Sequence, residues 1–107
     1  MIVSALADTA ATFTKVPRAV FDEAGLVARY EAEVEIGDGR TILRELALAD
    51  VEIAGIRRPV LVSAGGEGER PLVGYTTLET LGFKVNTVAH TLEPAPPIEY
   101  GGVPPSP

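Results

Sequence analysis

The feature that most constrains the fold is a regular alternation of apolar and charged residues over positions 28–36. The apolar positions are Ala28, Tyr30, Ala32, Val34 and Ile36, and the residues between them are Arg29, Glu31, Glu33 and Glu35. A period of two is typical of a β-strand with one apolar face and one solvated face. Gly37-Asp38-Gly39 follows directly, and glycine tolerates the positive φ of tight hairpin turns. The pattern therefore predicts a β-hairpin whose second strand starts near Arg40 and runs, bent or interrupted, to Ile53.

The rest of the chain predicts further short strands and two short helices. Residues 2–7 read as a buried strand that ends at Asp8, and other strands are predicted at 59–63, 83–85 and 88–92. One helix is predicted from Arg18 to Ala24 and another from Thr76 to Leu81, with Thr76 or Thr77 as its cap. Gly25 and Gly82 are the predicted stops of these helices. The proline-rich composition after Pro94 predicts a tail at residues 95–107, so the folded domain is expected at residues 1–94.

Composition excludes several classes of function. The chain of 107 residues has a formal net charge of −6 and no cluster of Lys and Arg, which argues against binding to nucleic acid. It contains no cysteine, and His90 is its single histidine, so neither thiolate metal sites nor a histidine-based triad is expected. No apolar run approaches the ~20 residues of a membrane span, and the N-terminus lacks the pattern of a secretory signal. These absences predict a cytoplasmic protein that binds neither membrane nor metal.

The candidate for chemistry is the segment Asp8-Thr9-Ala10-Ala11-Thr12, which follows the apolar residues 2–7. Aspartate is a common turn residue, so one interpretation is a simple turn after a strand. The other is a catalytic carboxylate, and it rests on the family resemblance described in the next paragraph. The segment Leu72-Val73-Gly74, followed by the second predicted helix and Gly82, supplies a second pattern.

Together, these two motifs resemble those of retropepsin-like aspartic proteases, in particular the bacterial and cellular members. The first resembles the active-site turn of the family, and the second resembles the segment that crosses beneath that turn. The resemblance covers roughly residues 5–94. It implies a mainly β fold, a closed acid-protease barrel with two short helices, in a homodimer. It also implies an aspartic endopeptidase that hydrolyses polypeptide without a metal or an organic cofactor.

The resemblance also implies roles for individual residues. Asp8 would be the catalytic general acid and base, and Thr9 would brace the turn across the dimer axis, with the turn completed by Ala10, Ala11 and Thr12. Leu72, Val73 and Gly74 would form the supporting loop. The flap over the substrate would be the hairpin of Ile36, Gly37, Asp38, Gly39 and Arg40. Two carboxylates are needed and the chain has one such motif, so the second Asp8 would come from the partner in a two-fold dimer.

Two departures from the family pattern leave alternatives open. Ala10 stands where the family has glycine, and alanine would be strained there if the backbone needed positive φ. Family members also have an additional strand before the one that leads to the aspartate, so either the domain is trimmed or Met1 is not the natural start. One alternative is a non-catalytic dimerisation or peptide-binding domain of the same fold, inactivated or weakened by Ala10. Another is an unrelated small β-barrel with a chance match.

Overall fold

The computed structural model describes residues 1–97, which form short strands and two short helices. In chain order the elements are β1 (Leu6–Asp8), β2 (Thr14–Pro17), α1 (Arg18–Glu23), β3 (Tyr30–Ile36), β4 (Arg40–Ile53), β5 (Ile56–Gly65), β6 (Leu72–Gly74), α2 (Tyr75–Leu81), β7 (Phe83–Asn86) and β8 (Thr91–Pro94). The predicted mainly β class is confirmed. The predicted helix positions are also confirmed, and the glycines expected to stop them, Gly25 and Gly82, have the positive φ values of +72° and +85°.

Six strands form one sheet in the order β1-β6-β2-β5-β4-β3, and β7 and β8 form a separate hairpin. Strand β6 lies between β1, to which it is parallel, and β2, to which it is antiparallel. Strands β1 and β3 lie at opposite edges of the sheet, and within residues 1–97 no pairing joins them. The closed barrel implied by the resemblance is therefore wrong for this chain. Closure requires the two edge strands to pair, and β1 is only three residues long.

The core lies against the middle of the sheet, where both helices pack. Phe21 of α1 and Leu81 of α2 meet the buried side chains of β4 and β5, which are Ala47, Val60, Val62 and Ala64. Phe21 is 1% exposed and Ala47 is fully buried. The core residues of β5, Val60, Val62 and Ala64, occupy alternate positions and therefore lie on one face of the strand.

Strand β4 is continuous over 14 residues, although it was predicted to be bent or interrupted. The less exposed positions are the even ones from Ile42 to Leu46 and the odd ones from Ala47 onwards. The change coincides with a change of partner, because β3 pairs with residues 40–46 and β5 pairs with residues 46–53. Residues 40–45 have β3 as their only partner, so the β3–β4 hairpin extends beyond the rest of the sheet.

Both ends of the domain differ from the prediction. The predicted buried strand at residues 2–7 is reduced to β1, and Ile2 and Leu6 are 101% and 58% exposed. The reason is position, because β1 is an edge strand with β6 as its partner over three residues. The strand predicted at 88–92 is also wrong. Its first residues form a turn in which the Asn86 side-chain oxygen accepts the N–H groups of Val88 and Ala89, and His90 lies in that turn with φ of +56°.

The predicted tail begins in contact with the domain. The Ala95 N–H donates a hydrogen bond of 2.8 Å to the Gly82 carbonyl, just after β8. The remainder of the predicted tail, residues 98–107, lies outside the described residues. Neither α1 nor α2, the helices of residues 1–97, has the length and apolar character required to cross a bilayer.

Candidate functional site

Asp8 is the last residue of β1 and begins a tight turn. Its Oδ1 accepts a hydrogen bond of 3.0 Å from the Ala10 N–H, and its backbone carbonyl accepts one of 3.2 Å from Ala11. The carboxylate is half-buried, while Thr9 and Ala10 are exposed. The turn therefore fixes the orientation of the carboxylate and leaves the residues beside it accessible.

Asp8 differs from the other aspartates in its charge environment. Asp22, Asp38 and Asp50 each lie within 4.0 Å of an arginine, at 3.4, 2.7 and 3.7 Å from Arg18, Arg40 and Arg57 respectively. In the described part of the chain, Asp8 has no salt bridge. The polar partner of its carboxylate is a backbone N–H, so no positively charged side chain compensates its charge within residues 1–97.

Ala10 occupies the turn without backbone strain. Among the described residues the non-glycine positions with positive φ are Ala54 and His90, so Ala10 does not adopt the left-handed conformation. Its N–H is also retained as the donor to Asp8. Of the two possibilities left open by the sequence, the structure therefore supports the one in which alanine costs little within the protomer.

In the peptidase that the resemblance implies, replacing Ala10 with glycine should leave activity within about threefold of the wild type. It should also lower stability by about 0.4–1 kcal/mol. Glycine keeps the N–H donor and only increases the conformational freedom of the unfolded chain. Urea denaturation and a peptidase assay on the same preparation measure the two effects. A hundredfold change in activity in either direction, in a folded protein, would contradict this description of the turn.

The supporting segment contacts the turn through backbone hydrogen bonds. The Tyr75 N–H donates to the Ala11 carbonyl at 2.7 Å, and the Thr76 N–H and hydroxyl donate to the Thr12 carbonyl at 3.2 and 2.7 Å. On β1, Asp8 is the register partner of Gly74. The structure thus brings the two sequence motifs together, although more than 60 residues separate them.

Glycine is required at position 74 because β6 passes very close to the backbone of Phe13 and Thr14, just after the Asp8 turn. A Cβ atom at that position would collide with the carbonyl group of Phe13 and would lie 2.8 Å from the Thr14 nitrogen. The Gly74 N–H donates to the Thr14 hydroxyl at 3.0 Å, which in turn donates to the Thr77 hydroxyl at 2.7 Å. Both threonines are buried. The backbone of β6 can therefore lie directly against the turn only because residue 74 has no side chain.

The sequence analysis missed the role of Thr14 and misplaced that of Thr77. Thr76 and Thr77 were predicted to cap α2, but Gly74 is at the cap position and no side chain caps the helix. The Thr76 hydroxyl instead donates to the Thr12 carbonyl in the Asp8 turn, and the Thr77 hydroxyl accepts a hydrogen bond from Thr14. No local signal identifies this buried pair, because its members lie 63 positions apart. The only hint is that threonine occupies an otherwise apolar helix face.

The predicted flap residues form the tip of the β3–β4 hairpin. The Gly39 N–H donates to the Ile36 carbonyl, and Gly39 has a φ of +85°, as the predicted turn requires. Asp38 and Arg40 form an ion pair of 2.7 Å. The pKa of Asp38 lies below its ordinary value because the side chain and the backbone N–H of Arg40 both donate hydrogen bonds to its carboxylate. In the described residues, no hydrogen bond or ion pair joins this tip to the Asp8 turn.

A cavity of about 680 Å³ lies beside the turn. Its walls are formed by Thr9 of the turn, by α2 and β7, and by residues 95–97. On its α2 side, a hydrogen bond to Glu79 raises the pKa of the Tyr75 hydroxyl. Over residues 1–97, no three side chains of His, Cys, Asp or Glu are grouped to hold a metal ion. The polar groups of the turn and of the cavity beside it are thus the carboxylates of Asp8 and Glu79, the Lys84 ammonium group, hydroxyls and backbone amides.

A scan against protein-family models and a search of curated proteins found no match to this chain. The interpretation of the site therefore depends on its own geometry and on the two motifs.

Proposed function

We propose that this chain is one protomer of a retropepsin-like aspartic endopeptidase. The observation that carries the proposal is the crossing of the two motifs. Asp8 ends β1 in a turn whose Ala11 and Thr12 carbonyls are held by backbone N–H groups of α2, and Gly74 allows the contact. A half-buried aspartate, oriented by a backbone N–H and lacking a cationic partner within residues 1–97, is suited to proton transfer rather than to stabilising the fold.

The chemistry requires two such carboxylates. Two neighbouring carboxyl groups share one proton, so that one acts as base and the other as acid. The base accepts a proton from water as the water oxygen attacks the peptide carbonyl, and the acid protonates the carbonyl oxygen. The carboxyl group that received the first proton then passes it to the peptide nitrogen, the other carboxylate takes a hydroxyl proton from the tetrahedral intermediate, and the C–N bond breaks to release the amine and the carboxylic acid. The other aspartates of the protomer are paired with arginines, so the second carboxylate would be Asp8 of a second copy. The active species in this proposal is a two-fold homodimer.

The exposed surface around Asp8 supports this arrangement. Thr9 and Ala10 are accessible beside the carboxylate, and the apolar residues before β1 are exposed as well. Their exposure leaves the turn free to meet its equivalent in a second protomer. The hairpin tip from Ile36 to Arg40 extends from the sheet and would act as the flap over a bound polypeptide in the proposed enzyme.

The dimer requirement gives a direct test. Specific activity against an unfolded polypeptide, measured from acid to neutral pH, should fall on dilution through the dissociation constant of the dimer. Sedimentation measured over the same concentrations gives the dimer fraction, and activity should follow that fraction. A monomer that retains full specific activity would overturn the half-site mechanism. A stable dimer that cleaves no substrate would instead support the non-catalytic domain of the same fold.

A further inference from the structure

The carboxylate of Glu69 joins three separate segments of the chain. Arg44 Nη2 lies 2.7 and 3.1 Å from its two oxygens, and Lys15 Nζ lies 3.3 Å from Oε2. The Gly66 N–H also donates a hydrogen bond of 2.8 Å to Oε2. Because the Arg44 side chain is only 14% exposed, these bonds are partly shielded from water.

The two cationic partners of Glu69 lie on different parts of the proposed site, one on the β3–β4 hairpin and one on the strand that follows the Asp8 turn. Arg44 lies in the part of β4 that pairs only with β3, so it belongs to the projecting hairpin. Lys15 lies in β2, directly after the Asp8 turn, and is the register partner of Leu72. Glu69 itself precedes Pro71, whose carbonyl accepts the N–H of Leu6 at the start of β1. The Glu69 side chain thus links the hairpin to β2, and the backbone two residues after it contacts the start of β1.

The charges around Glu69 make this link stronger than an ordinary surface pair. Burial acts to raise the pKa of Glu69, but the Gly66 N–H, the hydrogen bond from Arg44 and the charge of Lys15 outweigh it and lower the pKa below its ordinary value. Two cations converge on one carboxylate, so its removal would leave Arg44 and Lys15 close together without an anion between them. Other ion pairs, such as Arg57–Asp50, join exposed side chains of neighbouring strands.

We propose that Glu69 is a positioning residue that holds the β3–β4 hairpin in a fixed orientation relative to the Asp8 turn. Its consequence for substrate binding rests on the proposed function, in which this hairpin is the flap. The link between hairpin and turn itself rests on the geometry alone.

Hydrogen exchange followed by mass spectrometry tests the link without requiring activity. In Glu69→Gln, amides of residues 30–46 should exchange about tenfold faster, while those of residues 47–64 stay unchanged. Gly65→Ala is a second variant, because its Cβ would lie 2.7 Å from Glu69 Oε2 and would displace the carboxylate while keeping its charge. Asp50→Asn is the matched control, since it removes a carboxylate that pairs with Arg57 across β4 and β5, outside the β3–β4 pairing. It should leave exchange of residues 30–46 unchanged.

The outcomes separate this inference from the proposed function. Unchanged exchange in both variants, or equal acceleration throughout the chain, would overturn the inference whether or not the protein cleaves peptides. In an active enzyme, Glu69→Gln should raise KM severalfold with a smaller effect on kcat, because the flap would be less ordered when substrate binds. Local acceleration with an unchanged KM would overturn the consequence for substrate binding and leave the link between hairpin and turn in place. An inactive wild type would overturn the proposed function, and the exchange result would still decide the link.

Discussion

Replacing Asp8 with asparagine is expected to lower peptidase activity by about a thousandfold or more while the fold and the dimer persist. In the wild type, Oδ1 of Asp8 accepts a hydrogen bond of 3.0 Å from the Ala10 N–H. The side-chain oxygen of asparagine can accept the same hydrogen bond, so the turn should keep its shape. An amide, however, cannot accept or release the proton that activates water. The measurement is kcat/KM against an unfolded polypeptide, with sedimentation on the same sample.

Two controls sharpen this result. Asp22→Asn removes a carboxylate that pairs with Arg18 on an exposed helix surface, and its activity should match the wild type. Adding excess Asp8→Asn protein to the wild type should suppress activity, because mixed dimers would hold only one competent carboxylate. Full activity of the Asp8→Asn homodimer would remove Asp8 from the mechanism, and the absence of suppression in mixtures would contradict the shared site.

Replacing Gly74 with alanine is expected to destabilise the domain by about 3 kcal/mol or more, a large part of the ~5–15 kcal/mol that holds a domain of this size folded. The added Cβ would collide with the Phe13 carbonyl group, which is backbone and cannot rotate away. Relief requires β6 to move from the turn, and that movement would break the hydrogen bond from Gly74 N–H to Thr14. Denaturation in urea gives the change in the free energy of unfolding.

Gly37→Ala is the matched control for this variant. A Cβ at position 37 would meet nothing within 4 Å, and Gly37 does not have positive φ, so stability should stay within about 1 kcal/mol of the wild type. If Gly74→Ala were as stable as Gly37→Ala, the close crossing of β6 and the turn would be wrong. Any Gly74→Ala protein that remains folded should also lose activity, because the Asp8 turn would no longer be supported.

Local features of the sequence were sufficient to predict the elements that depend on neighbouring residues. The alternation of Ala32, Val34 and Ile36 with glutamates predicted β3, and Gly39 has the positive φ expected of its turn. Gly25 and Gly82 likewise stop their helices. In each case the determinant is a backbone conformation or a periodicity within a few residues, which the sequence displays directly.

The placement of the candidate site was predicted only in part. The two motifs identified the Asp8 turn and the segment from Leu72 to Gly74, and the structure brings them together. The Thr14–Thr77 hydrogen bond and the interactions of Glu69 with Arg44 and Lys15 were missed, because the partners are distant in the chain. Threonine, arginine and glutamate also occur commonly on protein surfaces, so their presence alone does not indicate such contacts. The catalytic role of Asp8, the homodimer and the flap remain predictions.

What the sequence by itself determined about this protein is therefore most of its strands and turns and the ends of both helices, and it singled out Asp8 as the candidate for chemistry. The tertiary structure decided that β1 is an exposed edge, that the sheet stays open, and that β4 changes its buried face at Leu46 and Ala47. It also decided that Ala10 is unstrained and that Gly74 cannot be replaced without conflict. These properties depend on which distant segments share space, and that is settled by the packing of the whole chain rather than by the preference of any single residue.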